Sequence, residues 1–333
     1  MKTFDKPAID VPAQLELLKS RGLIIDDETG ARCFLQSVSF FRLSPYMRPF
    51  QQPEDIDHHF HAGTHLHQLA RLYDFDRRLR LLVMDAIERV EIASRAVISN
   101  HMGPTYGSHW YIDGQTFHPT FDHQRLLATL HTKQSVAARD YERECLRIDR
   151  LHTDSNRKDH LKRQRAKESY ARHYPITYDH PSLMPSWAML EELTLGDLSH
   201  LYKGLARDAD KKAIARRLGL PAPLMQSWLH TLTTVRNMCA HHSRMWNRQL
   251  GIRPELPRKA NFPWPKHLLQ PGSHTRIFPT LCILNHLMYQ VSPRTRWDQH
   301  LYHLISDFPN LNLKAMGFLR DWYQDPFWHV SRA

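Results

Sequence analysis

Arg236, Asn237, His241 and His242 fall within seven consecutive positions of the run Thr234-Val235-Arg236-Asn237-Met238-Cys239-Ala240-His241-His242-Ser243-Arg244. An arginine fork grips phosphate oxygens two at a time, and histidine is the side chain that moves protons near neutral pH. Together they can break a phosphodiester of RNA without a metal ion. On a helix, Asn237 and His241 are four apart and share a face. Arg236 and His241 are five apart, about 140° around the axis, and meet only if the helix end loosens or the long arginine stem swings over. Leu224, Trp228, Leu232, Val235 and Cys239 form the apolar stripe that would hold this turn against a core. The plainer reading is a charged helix end, with Arg236 in an ion pair and the histidines stabilising the C-terminus. A bare Arg-x4-His is weak. Its extension through Asn237, His242, Arg244, Trp246, Asn247 and Arg248 is far more specific.

The chain that must position these groups has 333 residues, 41% of them hydrophobic, enough to bury a substantial core. Lysine and arginine number 45 against 34 acidic residues, a net charge of +11 that favours a polyanionic partner, nucleic acid before membrane. Cys33, Cys145, Cys239 and Cys282 are scattered without a C-x-x-C pair, so reduced thiols are expected rather than zinc or redox chemistry. The first residues, Met1-Lys2-Thr3-Phe4-Asp5-Lys6-Pro7, hold no apolar run, and no stretch reaches membrane-span length. A soluble, cytoplasmic protein is expected.

Strand signals are nearly absent, while helical periodicity recurs. Helices are expected at Pro12 to Arg21, from Asp26 through Leu35, and over roughly His65 to His101, where Gly103-Pro104 punctuates the end. The last of these carries Arg77, Arg78, Arg80, Glu88, Arg89, Glu91 and Arg95 on what reads as its polar face. From about Arg139 to Arg172 the spacing predicts one charged helix projecting from the core. Pro185-Ser186-Trp187 opens another, broken at Gly196, and helices follow at Pro223 to His241, Ile277 to Val291 and Trp297 to Asp307. The expected fold is all-α without an internal repeat.

Other clusters have two readings each. Arg157, Lys158, Lys162, Arg163, Arg165 and Lys167 form either a solvated helix face or, with Arg244, a surface that tracks an RNA backbone. Glu88 and Glu91 either assist the site by facing the arginines of the motif helix or make structural ion pairs. Arg95 to His101 repeats an Arg-x5-His spacing, most simply by chance in a chain with 24 histidines. Lys211-Lys212-Ala213-Ile214-Ala215-Arg216-Arg217 before the motif helix imitates a helix-turn-helix. The supposed recognition helix, however, is apolar at Met225, Trp228, Leu229, Leu232 and Val235, with few side chains to read bases. His58, His59, His61, His65 and His67 have only Asp55 and Asp57 nearby in sequence, and no metal site is expected there.

Over nearly its full length the chain resembles the Abi-like family of bacterial abortive-infection proteins (the AbiD/AbiF group), whose members carry a HEPN-type helical nuclease core. The resemblance rests on Gln14, Leu17, Leu18 and Arg21-Gly22-Leu23, and on Phe40-Phe41-Arg42-Leu43 with Tyr46, Pro49 and Phe50. It continues through Leu72-Tyr73-Asp74-Phe75-Asp76-Arg77, Leu79-Arg80, Glu88-Arg89-Val90-Glu91 and Trp110-Tyr111. Pro185, Trp187, Glu191, Gly196, Leu198 and Ser199 carry the central block, and Gly317-Phe318 with Trp322 the tail. The chain departs from the family at Phe40-Phe41, where two tyrosines are usual, and at Thr194-Leu195-Gly196, where Ser-Phe-Gly is.

The family pattern Arg-Asn-x-x-x-His-His falls on Arg236, Asn237, His241 and His242. The resemblance implies metal-independent RNA cleavage: the 2′-hydroxyl attacks the adjacent phosphate, leaving a cyclic phosphate and a free 5′-hydroxyl. It gives Arg236 the scissile phosphate, His241 the general acid or base, Asn237 a positioning role and His242 an auxiliary one. It also implies a composite site in a homodimer, no cofactor, phage defence by toxicity, and often a small non-coding RNA as partner. The expected organisation is an N-terminal helical region over 1–60 and a HEPN-like core over 61–333, with a basic helical insertion at about 115–180. A non-catalytic scaffold binding structured RNA and a DNA-binding regulator are the rival readings.

Overall fold

The computed structural model describes residue 3 and residues 7–257, 262–269 and 275–329. Among these, thirteen α-helices account for the architecture and no strand forms; the only β pairings are isolated bridges. The helices are α1 (Val11–Ser20), α2 (Glu28–Val38), α3 (Phe40–Met47), α4 (Leu66–Tyr106), α5 (His123–Asp149), α6 (Ser155–Lys167) and α7 (Tyr170–Thr177). They continue with α8 (Ser186–Glu192), α9 (Leu195–Gly204), α10 (Asp208–Arg216), α11 (Ala222–Ala240), α12 (Phe278–Val291) and α13 (Trp297–Ser306).

The spine is α4, whose 41 residues extend for about 62 Å. Leu69, Leu72, Phe75, Leu79, Val83, Ala86, Ile87, Val90, Ile98 and Met102 recur at three-to-four spacing along it, and all are buried. Helices α3, α8, α9, α10, α11, α12 and α13 all pack against this spine. Helix α12 is apolar almost all round and buried from Phe278 to Met288, as a helix at the centre of a core must be. A smaller core joins α1, α2 and α3 to the first turns of α4 through Leu15, Leu18, Leu35, Leu43, Leu66 and Leu69.

Three expected boundaries move. The spine passes through Gly103 and Pro104 and ends at Gly107, whose φ of 91° only glycine adopts freely. Pro104 lies in the last turn, where it takes one i→i−4 donor from the helix but only Thr105 and Tyr106 remain to be disturbed beyond it. The expected break at Gly196 sits instead at Leu193-Thr194. There Thr194 and Asp197 cap each other's backbone N–H at the start of α9. The single charged helix expected over Arg139 to Arg172 is three pieces. Helix α5 runs about 40 Å, and Asp154 then caps α6, which returns alongside α5 with α7 packed on both. Helix α6 buries only Ala166. Its basic residues therefore face outward from a small helical unit that is held mainly by its own members and by contact of α5 with α8.

Candidate functional site

The motif occupies the C-terminal turn of α11. Leu224, Met225, Trp228, Leu229, Leu232, Val235 and Cys239 bury one side of this helix against the core, so the supposed recognition helix of the helix-turn-helix reading is largely enclosed. Beyond Ala240 the chain closes the helix with a Schellman turn: Ser243 N–H donates to Met238 O at 2.8 Å and His242 N–H to Cys239 O at 3.0 Å. The left-handed position of this turn is usually glycine; here it is His242, with φ of 54°. A side chain costs about 1–2 kcal/mol in that conformation. Asn237, His241 and His242 are exposed and Arg236 is half-buried. Among the described residues, none of these four side chains has a hydrogen-bond or ion-pair partner. The ion pair of Arg236 in the plainer sequence reading does not form among the described residues.

The turn is anchored from beneath. Asp76 on α4 is fully buried and its carboxylate accepts from the backbone N–H groups of Met245 (3.1 Å) and Trp246 (2.6 Å). It also accepts from the Tyr46 hydroxyl at 2.5 Å and from the Arg80 guanidinium. Desolvation raises the Asp76 carboxyl against the pull of Tyr46, Arg80 and the two N–H groups. Desolvation also pulls Arg80 down, but the Asp76 charge and the Tyr46 oxygen outweigh it, leaving Arg80 held more firmly charged. Burial pushes the Tyr46 hydroxyl well up. Four donors thus satisfy one buried carboxylate, which clamps the segment immediately after the motif to the spine.

Arg80, expected on the polar face, is 5% exposed. The register carries the reason, since Asp76 and Arg80 follow Leu72 at successive four-residue steps and so lie within the apolar stripe. A charged pair on that stripe was the signal that could have revealed the clamp, and the sequence reading missed it.

Helix α3 adds a second support. Arg42 Nη1 donates to His242 O at 2.7 Å, and Arg244 Nη1 to Pro45 O at 3.4 Å. A guanidinium at a helix C-terminus meets the negative end of the dipole. Arg244 is held below the usual arginine range by burial, with the charges of Arg48 and Arg248 acting the same way against Tyr46 and Asp76. Arg42, Arg48, Arg244 and Arg248 therefore surround the motif turn with positive charge that the protein only partly neutralises. Such a setting draws anions.

Other expected site residues go elsewhere. Arg95 does not face the motif helix. It donates to the carbonyl oxygens of Leu190 (3.0 Å) and Leu193 (2.9 Å) at the end of α8, and pairs with Glu91 at 2.6 Å. These are structural contacts of a cation at a helix C-terminus. Glu88 is exposed and makes no ion pair among the described residues. His101, the other half of the second Arg-x5-His, meets Asp210 at 2.8 Å. On α6, Lys158 donates to Asp149 O, Lys162 pairs with Asp149 and Arg165 with Glu168. Arg157, Arg163 and Lys167 are exposed and unpaired among the described residues.

The histidine run forms two surface groups of ligand-type atoms within 4.8 Å of one another, Asp26 with His65 and His67, and Asp55 with Asp57 and His59. Asp26, 39 residues upstream of His65, was not legible as a partner. Its Oδ2 lies 2.8 Å from His65 Nδ1, which holds the Asp26 carboxyl below its ordinary value. Burial pushes the Cys239 thiol up to about 12, so it serves packing beside Met245 rather than nucleophilic chemistry. All four cysteines are free. No described helix is long and apolar enough to cross a membrane.

The sequence profile of the family described as Abi-like protein matches residues 33–247, a span that includes α3, the Asp76–Arg80 clamp and the whole motif. No curated protein and no solved structure gives a match.

Proposed function

The chain belongs to the Abi-like protein family, and from that premise and the geometry of the motif turn we propose that it is a metal-independent endoribonuclease acting in abortive infection. The observation that carries this reading is a helix end clamped by a buried carboxylate that nonetheless leaves Arg236, Asn237, His241 and His242 without protein partners. Polar groups held on a rigid element and left unpaired are poised for a substrate.

In the proposed reaction His241 takes the proton of a ribose 2′-hydroxyl. The 2′-oxygen then forms a bond to the adjacent phosphorus as the bond to the 5′-oxygen breaks, and that leaving oxygen takes up a proton. The products are a 2′,3′-cyclic phosphate and a 5′-hydroxyl. Arg236 stabilises the charge on the phosphate oxygens, Asn237 orients His241 or a phosphate oxygen, and His242 assists.

Arg236 and His241 stand about 140° apart on an ideal helix. A twofold-related copy of the same turn supplies the missing face, so the active form is a homodimer with composite sites. The partners are RNA substrate and a small non-coding RNA, in the cytoplasm, with Arg157, Arg163, Lys167 and Arg244 on the RNA backbone.

Growth on overexpression tests the proposal. Arg236→Ala and His241→Ala should each abolish toxicity while the protein still co-purifies with RNA. Equal toxicity of wild type and both variants favours the non-catalytic RNA scaffold.

A further inference from the structure

Away from the motif, the fold brings Asp26 to the histidine run. Ile24 and His65 form an isolated parallel bridge: Ile24 N–H donates to Thr64 O and Leu66 N–H to Ile24 O, both at 2.9 Å. His65 N–H donates to Gln68 Oε1 at 2.9 Å, which fixes the entry to α4. These bonds set the backbone that carries Asp26, two residues beyond Ile24, and the backbone of His65 and His67.

Asp26 Oδ2 lies 2.8 Å from His65 Nδ1 and 3.8 Å from His67 Nδ1. The second distance is too long for a hydrogen bond, so an ion pair with His65 does not account for the place of His67. The two rings lie side by side, with centroids 5.2 Å apart and planes tilted by 42°. One ligand-type atom from each of the three residues lies within 4.8 Å of the others. A cation held at about 2.0–2.2 Å by imidazole nitrogen and carboxylate oxygen spaces neighbouring ligand atoms about 3–3.4 Å apart. The two Asp26 distances straddle that value, and small side-chain rotations close the triangle on an ion. The second group, Asp55, Asp57 and His59, is built differently. Asp55 spends its oxygens on the N–H groups of Asp57 and His59 and on His59 Nδ1, all within its own loop.

We propose that Asp26, His65 and His67 form a binding site for a divalent transition-type cation, Zn2+ foremost, that braces the N-terminal helices to the spine. Two imidazoles and one carboxylate suit zinc and its first-row neighbours, whereas Mg2+ and Ca2+ take oxygen ligands. Asp26 and His67 are exposed and His65 is half-buried, so water completes the coordination, as at other sites with three protein ligands. The N-termini of α2 and α4 adjoin the three residues, and each weakens a cation roughly two- to fivefold. An open site of this kind binds with a Kd on the order of 1–10 µM.

The brace reaches the motif only through α3. Asp26 belongs to the link between α1 and α2, whose shared core with α3 rests on Leu66 and Leu69 of the spine. Helix α3 in turn holds His242 O and Asp76. From His67 to Asp76 is nine residues, roughly 14 Å of helix. The ion therefore takes no part in cleavage, and the inference is independent of the nuclease reading.

Isothermal titration of Zn2+ into the chelator-stripped full chain tests it, with Asp26→Asn and His67→Gln as variants. Both positions are exposed, so without metal each variant should match the wild-type circular dichroism and melting curve. The expected result is one equivalent bound by wild type at micromolar Kd, weakened at least ~tenfold by either variant. His59→Gln, from the second group, should bind as wild type does. Saturating Zn2+ should raise the Tm of wild type by about 4 °C and leave that of the two variants nearly unmoved. Mg2+ at the same concentration should do neither. One-to-one binding no tighter than about 100 µM, wild-type affinity in both variants, or an equal loss in His59→Gln means adventitious binding by surface histidines only, and overturns the proposal. A Tm that Zn2+ leaves unchanged in wild type overturns the brace.

Discussion

Replacing Asp76 by asparagine removes one charge and almost no volume, yet it attacks the joint between the spine and the motif. In the native chain the carboxylate satisfies Arg80, Tyr46 and the N–H groups of Met245 and Trp246. Asparagine offers one acceptor oxygen and places an NH2 among these donors, so at least one pair of donors must face each other. Arg80, 5% exposed, is left without its counter-charge. Breaking a buried pair from one side costs about 3–5 kcal/mol, a large part of a typical stability of about 5–15 kcal/mol. Urea unfolding followed by circular dichroism should show that loss. Arg80→Met should be of similar cost, and the double variant should lose clearly less than the sum, because each change strands a group that the other removes. A loss below about 1 kcal/mol for Asp76→Asn, or strict additivity of the two, refutes the idea that this pair carries the clamp.

Three further outcomes follow from the same geometry. His242→Gly relieves a left-handed backbone at a Schellman turn, so thermal unfolding should show stability maintained or raised by up to about 1 kcal/mol, with RNA cleavage reduced less than tenfold. A stability loss above that figure contradicts the assigned turn. Desolvation lowers the pKa of buried His286 to about 4, against about 6.5 unfolded. Its contribution is complete above pH 6.5 and lost as pH falls towards 4, reaching about 3 kcal/mol. His286→Phe, stacked on Phe262, should flatten that part of the pH–stability curve, and an unaltered curve contradicts the assignment. Mixing Arg236→Ala and His241→Ala protomers should restore cleavage through one intact composite site per heterodimer. Two sites each confined to one chain restore none.

How legible the site was in the sequence depended on whether a signal was local. The motif helix was readable to within a residue, because Leu224 to Cys239 repeat at helical spacing and Pro223 and the polar cluster bracket them. The Schellman turn was not, because its left-handed position holds a histidine where glycine would have announced it. The clamp was half legible: Asp76 and Arg80 sat on the apolar stripe in plain register, but Tyr46 and the N–H groups of Met245 and Trp246 come from segments 30 residues before and about 170 after. The Arg95 to His101 spacing, read most simply as chance, gave no sign that the guanidinium would cap the end of α8. The break in the basic stretch lay at Thr153-Asp154-Ser155, where a capping aspartate was outweighed by the run of charges around it.

The account turns on cleavage by two named side chains, and purified full-length protein with an end-labelled single-stranded RNA in the presence of EDTA tests it most directly. The prediction is cleavage to fragments ending in a 2′,3′-cyclic phosphate, slowed at least ~100-fold by Arg236→Ala and by His241→Ala alike, with unfolding curves unchanged. Fragments released at the wild-type rate by either variant, or no cleavage by the wild type itself, contradict it.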